Sequence, residues 1–220
     1  MKAAGGNPHD ALLLVLADAL DDLERVRIAT DNRLRSLGQI KGLGDGREAR
    51  TMQHVSEALA DLEHRATLDL QRAMRAHPLG PWVRRTKGIG EKQAARLLAA
   101  IGDPASRSMP SQLWQYCGHG APSKRARGVK GFWNPTAKMR LHLIAESCIK
   151  QTGTPAATGP TDTKEQPRQA SPYRQVYDEA RMDWAERDTS DGHKHNHALR
   201  MVGKAILLDL WMEARRVRDA

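Results

Sequence analysis

The chain predicts an all-α fold, a long antiparallel, coiled-coil-like helical hairpin followed by a small helical domain that contains a helix-hairpin-helix. Three observations carry this. Apolar residues recur at spacings of three and four in one stretch after another. Ala, Leu, Arg and Glu dominate, whereas Phe occurs once and the alternating β-branched runs that make strands are missing. Clusters of Gly and Pro separate the periodic stretches.

Residues 9–37 are expected to form the first helix, with Leu12, Leu16, Leu20, Leu23, Val26, Thr30, Leu34 and Leu37 on one face. Gly38, Gly42, Gly44 and Gly46 turn the chain back. A second helix over 48–76 carries the stripe Met52, Val55, Leu59, Leu62, Ala66, Leu70 and Ala73. Residues 1–76 thus read as an arm whose seam, including Leu16, Leu23, Leu59 and Leu62, offers a surface for a protein partner or a second copy. Packing of the same pair on its own C-terminal domain is the other reading.

Pro78 and Pro81 end the second helix. Lys87 leads into Gly88-Ile89-Gly90, and a helical stripe of Ala94, Leu97, Leu98 and Ile101 follows. Glycines permit a tight turn and leave no side chain to hold a phosphate away. Ile89 can pin the turn to the core, and the first turn of the next helix has unpaired N–H groups that favour an anion. Lys92 and Arg96 add charge, so Lys87, Gly88, Gly90, Lys92 and Arg96 are candidate contacts to a phosphate backbone. The plain alternative is a helix–helix connector.

From Trp82 to Leu141 there are twelve Lys and Arg against Glu91 and Asp103, a net of +10 in a chain whose total is +9. Such a band, in a protein of pI about 9.9, is the footprint of a nucleic-acid binder. It includes the glycine-rich loop over 118–131, where Lys124, Arg125, Arg127 and Lys130 are further candidate phosphate contacts. Phe132 and Trp133 at its end can stack on a base or anchor the loop. DNA is the expected ligand and RNA stays open.

A short helix near 110–117 precedes that loop, and Asn134-Pro135 opens another running to about 151. Residues 152–170, with Gly153, Pro155, Gly159, Pro160 and Pro167, read as a disordered insertion inside the C-terminal domain. Ser171-Pro172 starts the next helix, and the last is expected over 195–217. His193, His195 and His197 lie just before it and read as a polar turn, with a metal site the weaker alternative. No cofactor or metal is expected, nor is a P-loop or dinucleotide fingerprint present. Cys117 and Cys148, no targeting segment and no membrane-length apolar run point to a cytoplasmic protein with reduced thiols.

Residues 77–150 and 171–216 resemble the C-terminal domain of insertion-sequence transposases that pair a RuvC-like nuclease domain with a serine nucleophile and are guided by a bridge RNA. The resemblance lies in Gly88-Ile89-Gly90-Glu91-Lys92, Leu113-Trp114-Gln115-Tyr116-Cys117-Gly118, the basic loop from Pro122 to Gly131, Ala137-Lys138-Met139-Arg140, and the stretch from Leu199 to Trp211. The arm is similar to the coiled coil that joins the two domains of that family. The RuvC-like domain has no counterpart in these residues, and Arg127 stands before Gly128 where the family places its serine. The resemblance therefore implies a non-catalytic DNA-binding accessory protein of a phage or mobile element. One form would be a recombination directionality factor that binds a serine integrase through the arm. A truncated transposase using Ser123 and a protein-binding adaptor are the alternatives.

Overall fold

The computed structural model describes residues 7–40, 46–120, 131–153 and 170–220. All regular structure among them is helical: α1 (Pro8–Gly38), α2 (Arg47–Ala76), α3 (Gly80–Arg85), α4 (Glu91–Ile101), α5 (Pro110–Tyr116), α6 (Pro135–Ile149), α7 (Pro172–Met182) and α8 (Asp191–Arg218). A single 3₁₀ turn covers Pro104–Ser106. No helix among the described residues is long and apolar enough to cross a membrane. The expected insertion at 152–170 falls mostly outside the described residues, as do Gly42, Gly44, Ser123 and the loop cations Lys124, Arg125, Arg127 and Lys130.

A repeated local device starts the helices. In Asn7-Pro8, Asn134-Pro135 and Ser171-Pro172 the polar side chain accepts a backbone N–H of the first turn while proline takes a position that has no N–H to satisfy. The last helix begins four residues earlier than its apolar pattern suggests, because Ser190 caps it by accepting from His193 N. His193, His195 and His197 consequently lie on helix. His197 stacks on Trp184 with ring centroids 3.8 Å apart, and His195 Nδ1 is 2.7 Å from the Tyr177 hydroxyl. No group of three metal-binding side chains comes together among the described residues.

α1 and α2 pair as a hairpin, but with a seam different from the expected stripe. Leu12 and Val26 on α1, and Val55 and Leu62 on α2, are each about half exposed. Leu13 takes the inward position, and Arg27, Ser56 and Glu63 build a polar layer further out. Arg27 donates to Glu63 at 2.5 Å and to Asp31 at 2.7 Å, and Ser56 donates to Asp31. Each of these four polar side chains therefore has a partner, which desolvation demands. Of the proposed partner-binding residues, Leu16, Leu23 and Leu59 are half-buried, Leu16 against the core, and only Leu62 faces out.

The arm is not separate from the rest at its base. Leu13, Ala17 and Leu20 of α1 and Leu70 and Met74 of α2 belong to the same core as Val83, Leu98, Leu113, Leu141, Ile206 and Leu210. α4 is the hub of that core. It buries Ala94, Ala95, Leu97, Leu98 and Ile101, an apolar face wide enough to meet α1, α2 and α6. The thiols of Cys117 and Cys148 are free and buried, and burial pushes them up to about 12 and about 11. Neither is a reactive thiolate at neutral pH.

Candidate nucleic-acid interface

The two glycines of the α3–α4 turn prove to have different jobs. Gly88 has φ +96°, and a Cβ there would sit 2.7 Å from Cys148 Cα and 2.9 Å from its Sγ. Its missing side chain makes room for α6, not for a ligand. Gly90 is exposed, has φ −83° and would meet nothing within 4 Å if it carried a Cβ. No side chain caps the α4 N-terminus at Gly90. Ile89 is buried as expected, and the Ile89 N–H donates to Thr86 O at 3.2 Å.

The cations of this turn divide as well. Arg96 is 4% exposed, and its guanidinium lies 2.5 Å from Asp21 and 2.5 Å from Glu24 of α1. Lys92 donates to Glu24 at 2.8 Å. Both were candidate phosphate contacts, and Arg96 is corrected outright: it is a buried strut between α4 and the arm. Lys92 is neutralised by the same arm. Burial opposes ionisation of Glu24, yet the Arg96 and Lys92 bonds hold its carboxyl below the usual range. Arg140 of α6 completes the cluster, donating to both oxygens of Asp21 at 2.7 and 2.8 Å. Arg85 is taken by Glu213 at 2.8 Å. Arg84 and Lys87 make no ion pair among the described residues.

A second group of cations rests on aromatic rings and carbonyls, with Lys138, Arg200 and Lys204 about the stem of the basic loop and Arg215 further along α8, and sequence reasoning missed most of it. Lys138 lies 5.5 Å from the centroid of the Trp133 ring, Lys204 5.3 Å from that of Trp114, Arg107 4.7 Å from that of Tyr116 and Arg215 4.7 Å from that of Trp211. Arg200 donates to the carbonyls of His119 and Gly120. None of the five has a carboxylate within ion-pair distance among the described residues. A ring or carbonyl holds a cation in place without cancelling its charge, so these cations keep their positive field where those of the α1–α4 contact lose it. Lys204 shows the crowding: burial, then the neighbouring Arg200, lowers its ammonium below the usual lysine range. Arg107 and Lys138 lie in the basic band from Trp82 to Leu141, whereas Arg200, Lys204 and Arg215 are spread along the apolar stripe of α8 and give no separate signal.

His119 sits among Lys138, Arg200 and Lys204. It is 7% exposed, neither ring nitrogen has a hydrogen-bond partner among the described residues, and its ring fills the space left by Gly203, where a Cβ would be 2.9 Å from Cε1. Burial first, then Lys138, hold its imidazole down at about 4. The unfolded chain takes up this proton near pH 6.5 and the folded chain only near 4, so the unfolded state binds more protons in between and stability falls as pH falls. Of about 3 kcal/mol at stake, about 2 should be lost between pH 7 and 5. His197, whose imidazole is also lowered by burial and by Arg200, adds in the same direction. Urea unfolding at pH 7, 6 and 5 should show this slope in the wild type and much less of it in His119→Leu. An equal slope in both would mean that His119 is protonated in the fold.

Compared with known proteins, the chain matches no family model and no curated protein. What it does must therefore be read from this geometry.

Proposed function

We propose that the protein is a non-catalytic DNA-binding accessory factor that acts in or regulates DNA recombination, gripping the phosphate backbone with the cations around the stem of its basic loop. The observation that carries this reading is Lys138, Arg200 and Lys204 about the stem, with Arg107 and Arg215 beyond them, all held by rings and carbonyls with no carboxylate at ion-pair distance among the described residues. Arg84, Lys87 and the open Gly90 extend the same chemistry to the α3–α4 turn. Contacts of this kind hold a duplex without reading its sequence. The place in recombination, and the form of a recombination directionality factor for a serine integrase, rest on the resemblance to the transposase C-terminal domain. A recombinase would meet the arm through the outward-facing Val26, Val55 and Leu62, which are about half exposed.

Titration of a fluorescent 30-base-pair duplex at 50, 100 and 200 mM salt tests the reading. With about five phosphates neutralised, affinity should fall by two to three orders of magnitude across that range. Arg200→Gln with Lys204→Gln should lower the logarithmic salt slope by about two. Gly90→Asp, at an exposed cap position, should leave the fold at least as stable while weakening binding if the turn also touches the backbone. A salt-independent affinity, or a double variant that binds like wild type, would remove this site.

A further inference from the structure

We infer that Phe132 is a base-stacking residue, so that the nucleic acid this face takes presents an unpaired nucleobase beside its backbone. The inference rests on the phosphate-binding reading above and adds to it the kind of strand that is bound. Phe132 is the only phenylalanine in the chain and is 96% exposed. Leaving such a side chain in water forgoes the stabilisation of burying it.

The residues that follow it are tied down. The Trp133 ring lies over Gly131, where a Cβ would come within 2.6 Å of it, and against Gly118. Asn134 N donates to Tyr116 O at 2.7 Å, and Asn134 Nδ2 donates to Ala100 O at 3.2 Å and to the Tyr116 hydroxyl at 3.0 Å. Trp133 therefore anchors the stem while its neighbour is held out into solvent. The two aromatics divide the roles that their sequence position left undecided.

The surroundings indicate what the ring meets. A protein-binding aromatic usually sits among other apolar contacts that exclude water. Phe132 instead stands beside a stem ringed by Lys138, Arg200 and Lys204, with the neutral His119 between them. A π face flanked by cations is the arrangement that holds single-stranded nucleic acid, where phosphates meet the charges and a base meets the ring. A paired base has its faces covered by neighbours, whereas a bulged or single-stranded one does not.

The test uses the full chain with three DNA probes of one sequence, each carrying 2-aminopurine at the same position: a 20-nucleotide single strand, its perfect duplex, and a duplex with 2-aminopurine in a one-base bulge. Wild type should quench or enhance the probe in the single strand and the bulge, and bind both more tightly than the duplex. Phe132→Ala should lose about tenfold in affinity for those two while keeping its affinity for the perfect duplex and its salt slope. Phe132→Trp should restore the loss. Circular dichroism should be unchanged, since the ring touches little. If Phe132→Ala binds all three probes like wild type, the ring is idle and the inference fails. A loss confined to the perfect duplex would instead make the ring a wedge between paired bases and would overturn it too. Wild type binding the duplex with a steep salt slope but showing no preference for unpaired bases sinks the inference alone. No binding to any probe at 50 mM salt sinks the phosphate-binding reading with it.

Discussion

Replacing Asp21 with alanine is expected to destabilise the protein by about 3 kcal/mol, because it removes the anion that two buried arginines share. Arg140 and Arg96 are 7% and 4% exposed, and each already has a buried Nε without a partner among the described residues. Water approaches one side of the cluster through a cleft lined by Asp21, Arg96 and Arg140, where the Asp21 side chain is 34% exposed, so a stranded charge is partly hydrated. Arg140 would be left with no carboxylate, whereas Arg96 would keep Glu24, which places the cost at the lower end of the range for uncovering a buried charge. In a chain of this size the loss corresponds to a fall in Tm of roughly 6–12 °C. Replacing the pair together, Asp21→Ala with Arg140→Met, should recover part of it, since the penalty belongs to the stranded charge more than to the missing attraction. A Tm within 2 °C of wild type for Asp21→Ala would mean that Arg140 finds solvent easily and that the arm's base is loosely held. Nucleic-acid affinity should not rise in this variant, because the exposed cations lie elsewhere.

Gly88→Ala is expected to cost at least about 3 kcal/mol, while Gly90→Ala two residues away costs no more than about 1 kcal/mol. Two independent effects act at Gly88. Its φ of +96° disfavours any side chain, and the new Cβ would lie 2.7 Å from Cys148 Cα. That second clash is with backbone, so Cys148→Ala should not rescue it; α6 itself would have to move. At Gly90 the backbone is ordinary and the space open, and the cost is only that of a poorer cap. Chemical denaturation of the two variants side by side checks both. Similar losses in the two would mean that the turn can rearrange away from α6.

Much of the fold is legible in the chain. The Asn-Pro and Ser-Pro starts, the Gly and Pro breaks and the three-and-four spacing of Leu, Ile and Val place most helices within a residue or two of where they lie. These are local properties, set by dihedral preferences and hydrogen bonds within a few residues. The inward face of a long amphipathic helix is less local. Leu12 and Leu13, Val55 and Ser56, and Leu62 and Glu63 differ by one position, or about 100° of rotation, and which of each pair turns inward depends on the partner helix. A polar layer such as Arg27, Asp31, Ser56 and Glu63 is hidden in a sequence, because each residue taken alone reads as surface.

The candidate site shows the same division more sharply. Composition and order along the chain determine that this is an all-helical protein with its excess positive charge between Trp82 and Leu141, a glycine turn within it and a lone phenylalanine at the end of a basic loop. Only the tertiary structure decides which of those charges face outward. Folding brings Asp21, Glu24 and Glu213, far away in the chain, against Arg96, Lys92, Arg140 and Arg85, and leaves Lys138, Arg200 and Lys204 against aromatic rings and carbonyls. The reason is that the field of an ion dies away within a few ångströms of an opposite ion placed beside it. Distance in space, which spacing in sequence does not encode between remote segments, thus governs what a nucleic acid would feel.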